Sequence, residues 1–267
     1  MDVGEVKERM LKLAALTDRG QRTNALVAAT FQEEKAEMRR LCEALCNNAS
    51  SSAAAAAPPR KEHVAGAWDL VYSDVEVFRS SPFFLAVEKA LGDKAKSDLF
   101  FKLHLLQTCS WGASTVGRVS QRIDFERGQL ESEFDTTLFG LTVLPIIGWF
   151  KLLPTFGGRV VTLATDLEFV APGEAGNPRS DAPELRMVLE KTRVVDAPGV
   201  KRIPLVAGLL MERWAPVRGV WKLLPWNGGP LDGRDPSCSV WVTYSDDDMR
   251  IAQDMHGALF VYVRPVL

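Results

Sequence analysis

From Gly66 onward the hydrophobicity of the chain alternates with a period of two, and the same period returns in segment after segment. Successive side chains along a strand point to opposite faces, so this repeat demands a sheet with one apolar face. Trp68, Leu70 and Tyr72 fall on one face of the first such segment, with Asp69, Val71 and Ser73 on the other. Val116 to Phe125 and Gln129 to Leu138 flank Glu126-Arg127-Gly128, a short hairpin turn. In the second of these, Leu130, Phe134 and Leu138 share a face, while Glu131, Glu133 and Asp135 occupy the face that must meet water. Val160 to Val170 sets Val161, Leu163, Leu167 and Phe169 to one side, and Glu184 to Val195 does the same with Leu185, Met187 and Leu189. Cys238 to Tyr244, Met249 to Ala252 and Ala258 to Arg264 follow. About eight strands in an order dominated by hairpins predict a mainly β fold, an antiparallel sheet closed on itself around a lipid-sized interior.

The segment before this sheet has the other period. Val6, Met10, Leu13 and Leu16 recur at helix spacing, and Thr17-Asp18-Arg19-Gly20 supplies a stop. A second helix is expected from Asn24 through Leu45, with Leu26, Phe31, Met38, Leu41 and Leu45 apolar. Its Glu33, Glu34 and Glu37 with Lys35, Arg39 and Arg40 form a solvated face. Residues 1–48 therefore read as a helical arm, a docked hairpin, with a protein partner as the competing use. Residues 49–63, containing Ser50 to Ser52, Ala53 to Ala57 and Pro58-Pro59, read as a linker, and 64–267 as the β domain. Ser81-Pro82 opens a short helix, Phe83 to Leu91, after the first strand.

Charge and motifs exclude several function classes. Thirty-two Lys and Arg against 34 Asp and Glu supply no cationic field for nucleic acid. Cys42, Cys46, Cys109 and Cys238 have neither disulfide nor zinc spacing and are expected as free thiols. The charged segment Met1 to Met10 offers no secretory signal, and no transit peptide is visible. Glycine-rich phosphate loops, a nucleophile elbow and a zinc-protease helix are missing from the sequence, so no cofactor or metal is expected. Of the three histidines, His104 is placed on an apolar strand, while His63 and His256 are placed at the surface. Asp246-Asp247-Asp248 reads as a hairpin turn, with Asp247 or Asp248 pairing Arg250.

Seven Trp and thirteen Phe give the aromatic set an apolar character. Leu138 to Phe156 carries Lys151 as its only charge, yet Gly140, Pro145, Gly148 and Pro154 rule out a membrane-spanning helix. It is either a buried strand-turn pair or an apolar flap that touches membrane or ligand. Lys151-Leu-Leu-Pro154 is echoed by Lys222-Leu-Leu-Pro225, each followed by an aromatic residue and Gly-Gly. Trp149, Phe150, Phe156, Trp221 and Trp226 cluster in or beside these two loops and are the candidates for membrane contact.

These pieces resemble a known family. Gly66-Ala67-Trp68 is similar to the G-x-W signature of lipocalins. Tyr244 to Ile251, followed by Gly257 to Tyr262, resembles the last hairpin of the plastid lipid-associated protein (fibrillin) family. Leu16 to Gly20, Trp68-x-Leu70-x-Tyr72, Ser81-Pro82-Phe83 and Gln121 to Asp124 fit the same pattern. Ser245 departs from the family's usual leucine, and Gln253 to Gly257 replaces its arginine-glycine turn. The resemblance implies a lipocalin-like barrel in plastids (chloroplasts), at thylakoids or plastoglobules, binding isoprenoid quinones, carotenoids or acyl lipids without catalysis. Such a ligand would lie against Trp68, Leu70, Tyr72, Phe134, Leu163, Met187, Trp241 and Phe260. The competing readings are an enzyme of lipid or isoprenoid metabolism using Asp247, Asp124 or His104, and a scaffold for a biosynthetic enzyme.

Overall fold

The computed structural model describes residues 2–21, 31–51, 59–108, 117–138, 156–196, 213–221 and 234–265. Eight strands lie in one antiparallel sheet: β1 Gly66–Ser73, β2 Val119–Asp124, β3 Gln129–Leu138, β4 Phe156–Val170, β5 Glu184–Val195, β6 Ser237–Ser245, β7 Met249–Gln253 and β8 Leu259–Val263. Each strand pairs with the next, and β8 returns to β1, so the sheet closes in a ring. The helices are α1 Val3–Leu16, α2 Phe31–Ser51, α3 Lys61–Val64, α4 Pro82–Leu91, α5 Lys94–Thr108 and α6 Val217–Trp221, with a 3-10 turn at Val77–Ser80.

Aspartates make three of the connections. Asp124 accepts from the Arg127 amide at 3.0 Å, and Asp246 accepts from the amides of Asp248 and Met249 at 3.0 and 2.9 Å. Asp254 accepts from His256 and Ala258 at 2.9 and 2.8 Å. A short carboxylate that accepts from amides two to four residues on fixes a tight turn without regular secondary structure. The Asp246–Asp248 turn is as expected, but its pairing with Arg250 is not. Asp246 and Asp248 face Lys7 of α1, at 2.6 and 3.5 Å, and Arg250 points into the ring. Asp248 belongs to the turn, so strand alternation does not place it beside Arg250.

Three bulged registers redistribute the faces. Between Leu70 and Tyr72 the pairing of β1 with β8 slips by one residue, which turns Tyr72 outward opposite Val261. A similar slip between Val242 and Tyr244 turns Tyr244 outward opposite Ile251. On β4, register shifts against β5 accompany a positive φ of 53° at Asp166, and Ala164 and Leu167 face the core. Leu163 pairs with Glu131 and so shares that strand's outer face. Trp241 is also outside, because Cys238, Val240 and Val242 take the inner side of β6, and its indole donates to Asn177 at 3.1 Å. Tyr72, Leu163 and Trp241 are therefore corrected from inward to outward.

Tyr72, Tyr244, Met249, Ile251, Leu259 and Val261 form an apolar outer face, covered by Val6, Met10, Leu13 and Ala14 of α1 and Met38, Leu41 and Leu45 of α2. α1 begins with a capping box, Asp2 to Gly4 and Glu5, and ends at a splice onto β1. There Arg19 accepts from the Ser73 amide at 3.0 Å through its carbonyl, and Gln21 donates to the Val75 carbonyl at 2.8 Å. Gly20 sits at φ +80° with the Ser73 carbonyl only 2.0 Å from where a Cβ would stand. Gly20→Ala must strain the loop and push the arm off the sheet, costing about 3 kcal/mol of stability. Urea denaturation should show the lower midpoint; an unchanged midpoint would mean that the splice is not tight.

Candidate functional site

Pairing partners in an antiparallel sheet share a face, so the inner surface can be read in rows. One row is apolar: Ile123, Leu130, Ala164 and Leu189. The next is polar: Trp68, Gln121, Ser132, Thr162 and Thr192. The third is apolar again, with Val119, Phe134, Val160 and Val194. A polar row between two apolar rows inside a closed sheet is the least expected feature of the interior, since buried polar groups are costly without partners.

Arg250 reaches this row from β7. Its guanidinium is completely buried and donates from Nη2 to the Gln121 side-chain oxygen at 2.5 Å. Gln121 in turn donates to the Ser80 carbonyl at 3.0 Å. The guanidinium carbon lies 4.1 Å from the Tyr262 ring centre and 5.2 Å from that of Trp68, in cation–π contact. Nε and Nη1 have no acceptor, and among the described residues no carboxylate pairs with Arg250. Burial pulls its pKa down to about 10, with the nearby Arg264 charge adding to the effect and the Tyr262 hydroxyl opposing it. The Ser132 hydroxyl, cross-strand neighbour of Gln121, is also buried and unpartnered.

The two ends of the ring are built differently. At the end holding α3, the Trp68 indole donates to the Val64 carbonyl at 2.9 Å, and the Arg264 guanidinium stacks on the Trp68 ring at 3.8 Å. Arg264 donates to the carbonyls of His63 and Ala65 at 3.0 and 2.6 Å. Gly66, at φ +97°, leaves space that a Cβ would take at 2.5 Å from Arg264 Nη1. At this end the Trp68 and Arg264 side chains are hydrogen-bonded to the backbone carbonyls of residues 63–65. The opposite end is lined by rings: Phe78, Phe84 and Phe101, with Phe83, Phe100 and Phe134 packed on them. Leu85, Ala86 and Val87 of α4 add to the inner core there. Leu138 and Phe156, the strand ends that the longest apolar stretch connects, pair at this same end.

Beneath α4 lies a second buried polar group. Arg79 donates to Glu88 at 2.6 Å and lies 3.9 Å from Asp254, and its guanidinium covers the Phe101 ring at 4.2 Å. Burial, with the neighbouring Asp254 charge, raises the Glu88 pKa to about 7, against the pull of Arg79. One Asp254 oxygen is buried without a donor, which protonated Glu88 supplies. Burial also pushes the Cys238 thiol up to about 12, which leaves it unreactive at neutral pH.

The expected ligand residues are divided by this arrangement. Trp68, Leu70, Met187 and Phe260 belong to the inner core with Phe134 packed against it, whereas Tyr72, Leu163 and Trp241 do not. Trp221, expected in a membrane-facing loop, ends α6 and is buried edge-on to Phe83 at 6.5 Å between centroids. Trp149, Phe150, Trp226 and the two Lys-Leu-Leu-Pro segments lie outside the described residues, and of Phe156 only the strand backbone is described. His104 lies on helix α5, not on a strand; Leu103 to Leu106 is too short an apolar run to separate the two. Asp247 is exposed in its turn and Asp124 serves the β2–β3 turn, so neither enters the ring. Gln121, Ser132, Arg79, Glu88 and Asp254 were not anticipated, although the parity of Gln121 with Val119 and Ile123 marks it as inward.

Comparison with family models, with curated proteins and with solved structures returned no match.

The Glu88 carboxyl makes a pH signature. Its folded pKa of about 7 stands above its ordinary 4.5, so the folded form holds the proton more tightly than the unfolded chain. The resulting stability is complete below about pH 4.5 and is lost as pH rises through 7, on the order of 3 kcal/mol. Glu88→Gln should flatten the change in unfolding free energy between pH 5 and 8; an equally steep profile in the variant would assign the slope elsewhere.

Proposed function

We propose that the ring is a receptacle for a lipophilic molecule and that the protein is a non-catalytic, plastid lipid-associated protein of the fibrillin type. The observation that carries this reading is the graded interior. A phenylalanine-lined end leads past apolar residues to one polar row, and the far end is sealed by Trp68 and Arg264. An amphipathic molecule is stabilised along such a gradient by burial of its chain, at about 25 cal/mol per Å² of apolar area. The lipocalin-like character rests on Gly66-Ala67-Trp68 with its tryptophan at the closed end. The fibrillin resemblance rests on the Tyr244–Ile251 hairpin and on the Thr17–Gly20 splice to β1. Isoprenoid quinones, carotenoids and acyl lipids are the ligand classes of this reading, and thylakoids or plastoglobules its location. Near-neutral net charge directs peripheral membrane contact to apolar loops instead of a basic patch.

A scaffold role through the arm has less room, because the apolar stripes of α1 and α2 are already committed to the sheet. Enzymatic chemistry has one specific support, the buried Glu88 with a pKa near neutrality beside Asp254, a pattern suited to proton transfer.

Purified protein exposed to a plastid lipid extract, re-isolated and analysed by organic extraction and mass spectrometry should carry a stoichiometric lipid. It should also bind vesicles of galactolipid composition. Recovery of empty protein that ignores those vesicles would sink the receptacle.

A further inference from the structure

Two groups of the polar row have no partner among the described residues. The first is Arg250, whose Nε and Nη1 have no acceptor although the side chain is fully buried. The second is the Ser132 hydroxyl, buried and unpartnered on the cross-strand neighbour of Gln121, the residue that holds the guanidinium. A buried cation is normally matched by a carboxylate, as Arg79 is by Glu88 elsewhere in this same interior. Among the described residues Arg250 instead has a neutral amide, the Tyr262 hydroxyl and two aromatic faces, which orient it and leave its charge uncompensated.

We propose that the polar row is a headgroup site for a single-chain lipid acid, whose carboxylate takes the free Arg250 donors while its chain runs toward the phenylalanine-lined end. The Ser132 hydroxyl donates to the same headgroup. One cation calls for one negative charge: a carboxylate neutralises Arg250, whereas a phosphate monoester would bury a second negative charge beside apolar rows. Trp68 and Tyr262 hold the guanidinium in place, so little side-chain freedom is lost when the acid arrives. The chain then passes the Val119, Phe134, Val160 and Val194 row. This assignment rests on the receptacle reading and names the chemistry of its ligand.

The test compares oleic acid with oleyl alcohol and oleyl phosphate on the full chain, by displacement of a fluorescent fatty acid. The expected result is that oleic acid binds at least about tenfold more tightly than either, the scale of a charge-assisted hydrogen bond. In Arg250→Met that preference should vanish, and in Arg250→Lys it should persist in weakened form, with circular dichroism confirming the fold. Ser132→Ala should weaken the acid by a smaller factor and leave the alcohol unchanged. If all three lipids bind equally to the unaltered protein, the headgroup assignment is overturned while the receptacle stands. A tighter hold on oleyl phosphate overturns the carboxylate in favour of a dianion. If none binds, the receptacle itself fails, and the comparison needs no variant to fold.

Discussion

The antiparallel pairing of β8 with β1 decides most of what this molecule can be. An eight-strand sheet left open would present two edges of unpaired amides and carbonyls, and its inner face would have no opposite wall. Closure removes both problems, but at Val71 it requires one extra residue. That bulge is why β1 serves two cores. Trp68 and Leu70 point into the ring, and Tyr72, two residues on, points under the helical hairpin. The slip after Val242 does the same for β6. The α1–α2 hairpin consequently is not an appendage but the cover of an apolar outer face that closure created. The Gly20 splice joins that cover to the strand carrying the first bulge.

The interior then has to accommodate polar groups, and it does so in two opposite ways. Arg79, Glu88 and Asp254 form a group in which cation and carboxylates answer one another, with Glu76 3.6 Å from Arg79 and His256 4.0 Å from Glu88. Arg250 has no such answer. Desolvation depresses the pKa of an arginine only modestly before the charge must simply be tolerated, and here it remains charged at physiological pH. Two buried arginines, one beneath α4 and neutralised, one on β7 inside the ring and not, differ in a way that packing needs alone do not explain. An apolar residue at position 250 would complete the core with less desolvation cost.

Much of the sheet was legible because alternation is a local rule. Glu131, Glu133 and Asp135 against Leu130 and Phe134 define β3 without reference to anything else, and Leu185, Met187 and Leu189 do so for β5. Tyr72 and Leu163 follow parity, and parity fails across a bulge, whose position is set by the partner strand; Trp241, opposite in parity to Val240 and Val242, lies outward by alternation alone. His104 sits in a run of leucines that serves a helix or a strand equally well. Asp248 and Arg250 are two apart, yet one belongs to a turn and the other to a strand, so their side chains diverge. The site was less legible than the sheet. Gln121 and Ser132 have inward parity and pair directly across the β2–β3 hairpin, but the rest of the row, Trp68, Thr162 and Thr192, depends on the registers of three further strand pairs.

Those registers also explain why the polar row lies where it does. Had it lain one row nearer α3, Arg264 and the backbone carbonyls of His63 and Ala65 would have supplied ready partners for its groups. One row nearer α4, it would meet the phenylalanine cluster and the solvent-side charges of the helices. In the middle row no carboxylate among the described residues reaches Arg250, which is held by the Gln121 side-chain oxygen, the Tyr262 hydroxyl and the ring faces of Tyr262 and Trp68. Arg250 thus stands at a level of the ring where no carboxylate among the described residues neutralises it, between the end where Arg264 stacks on Trp68 and the end filled by the buried rings of Phe78, Phe84 and Phe101.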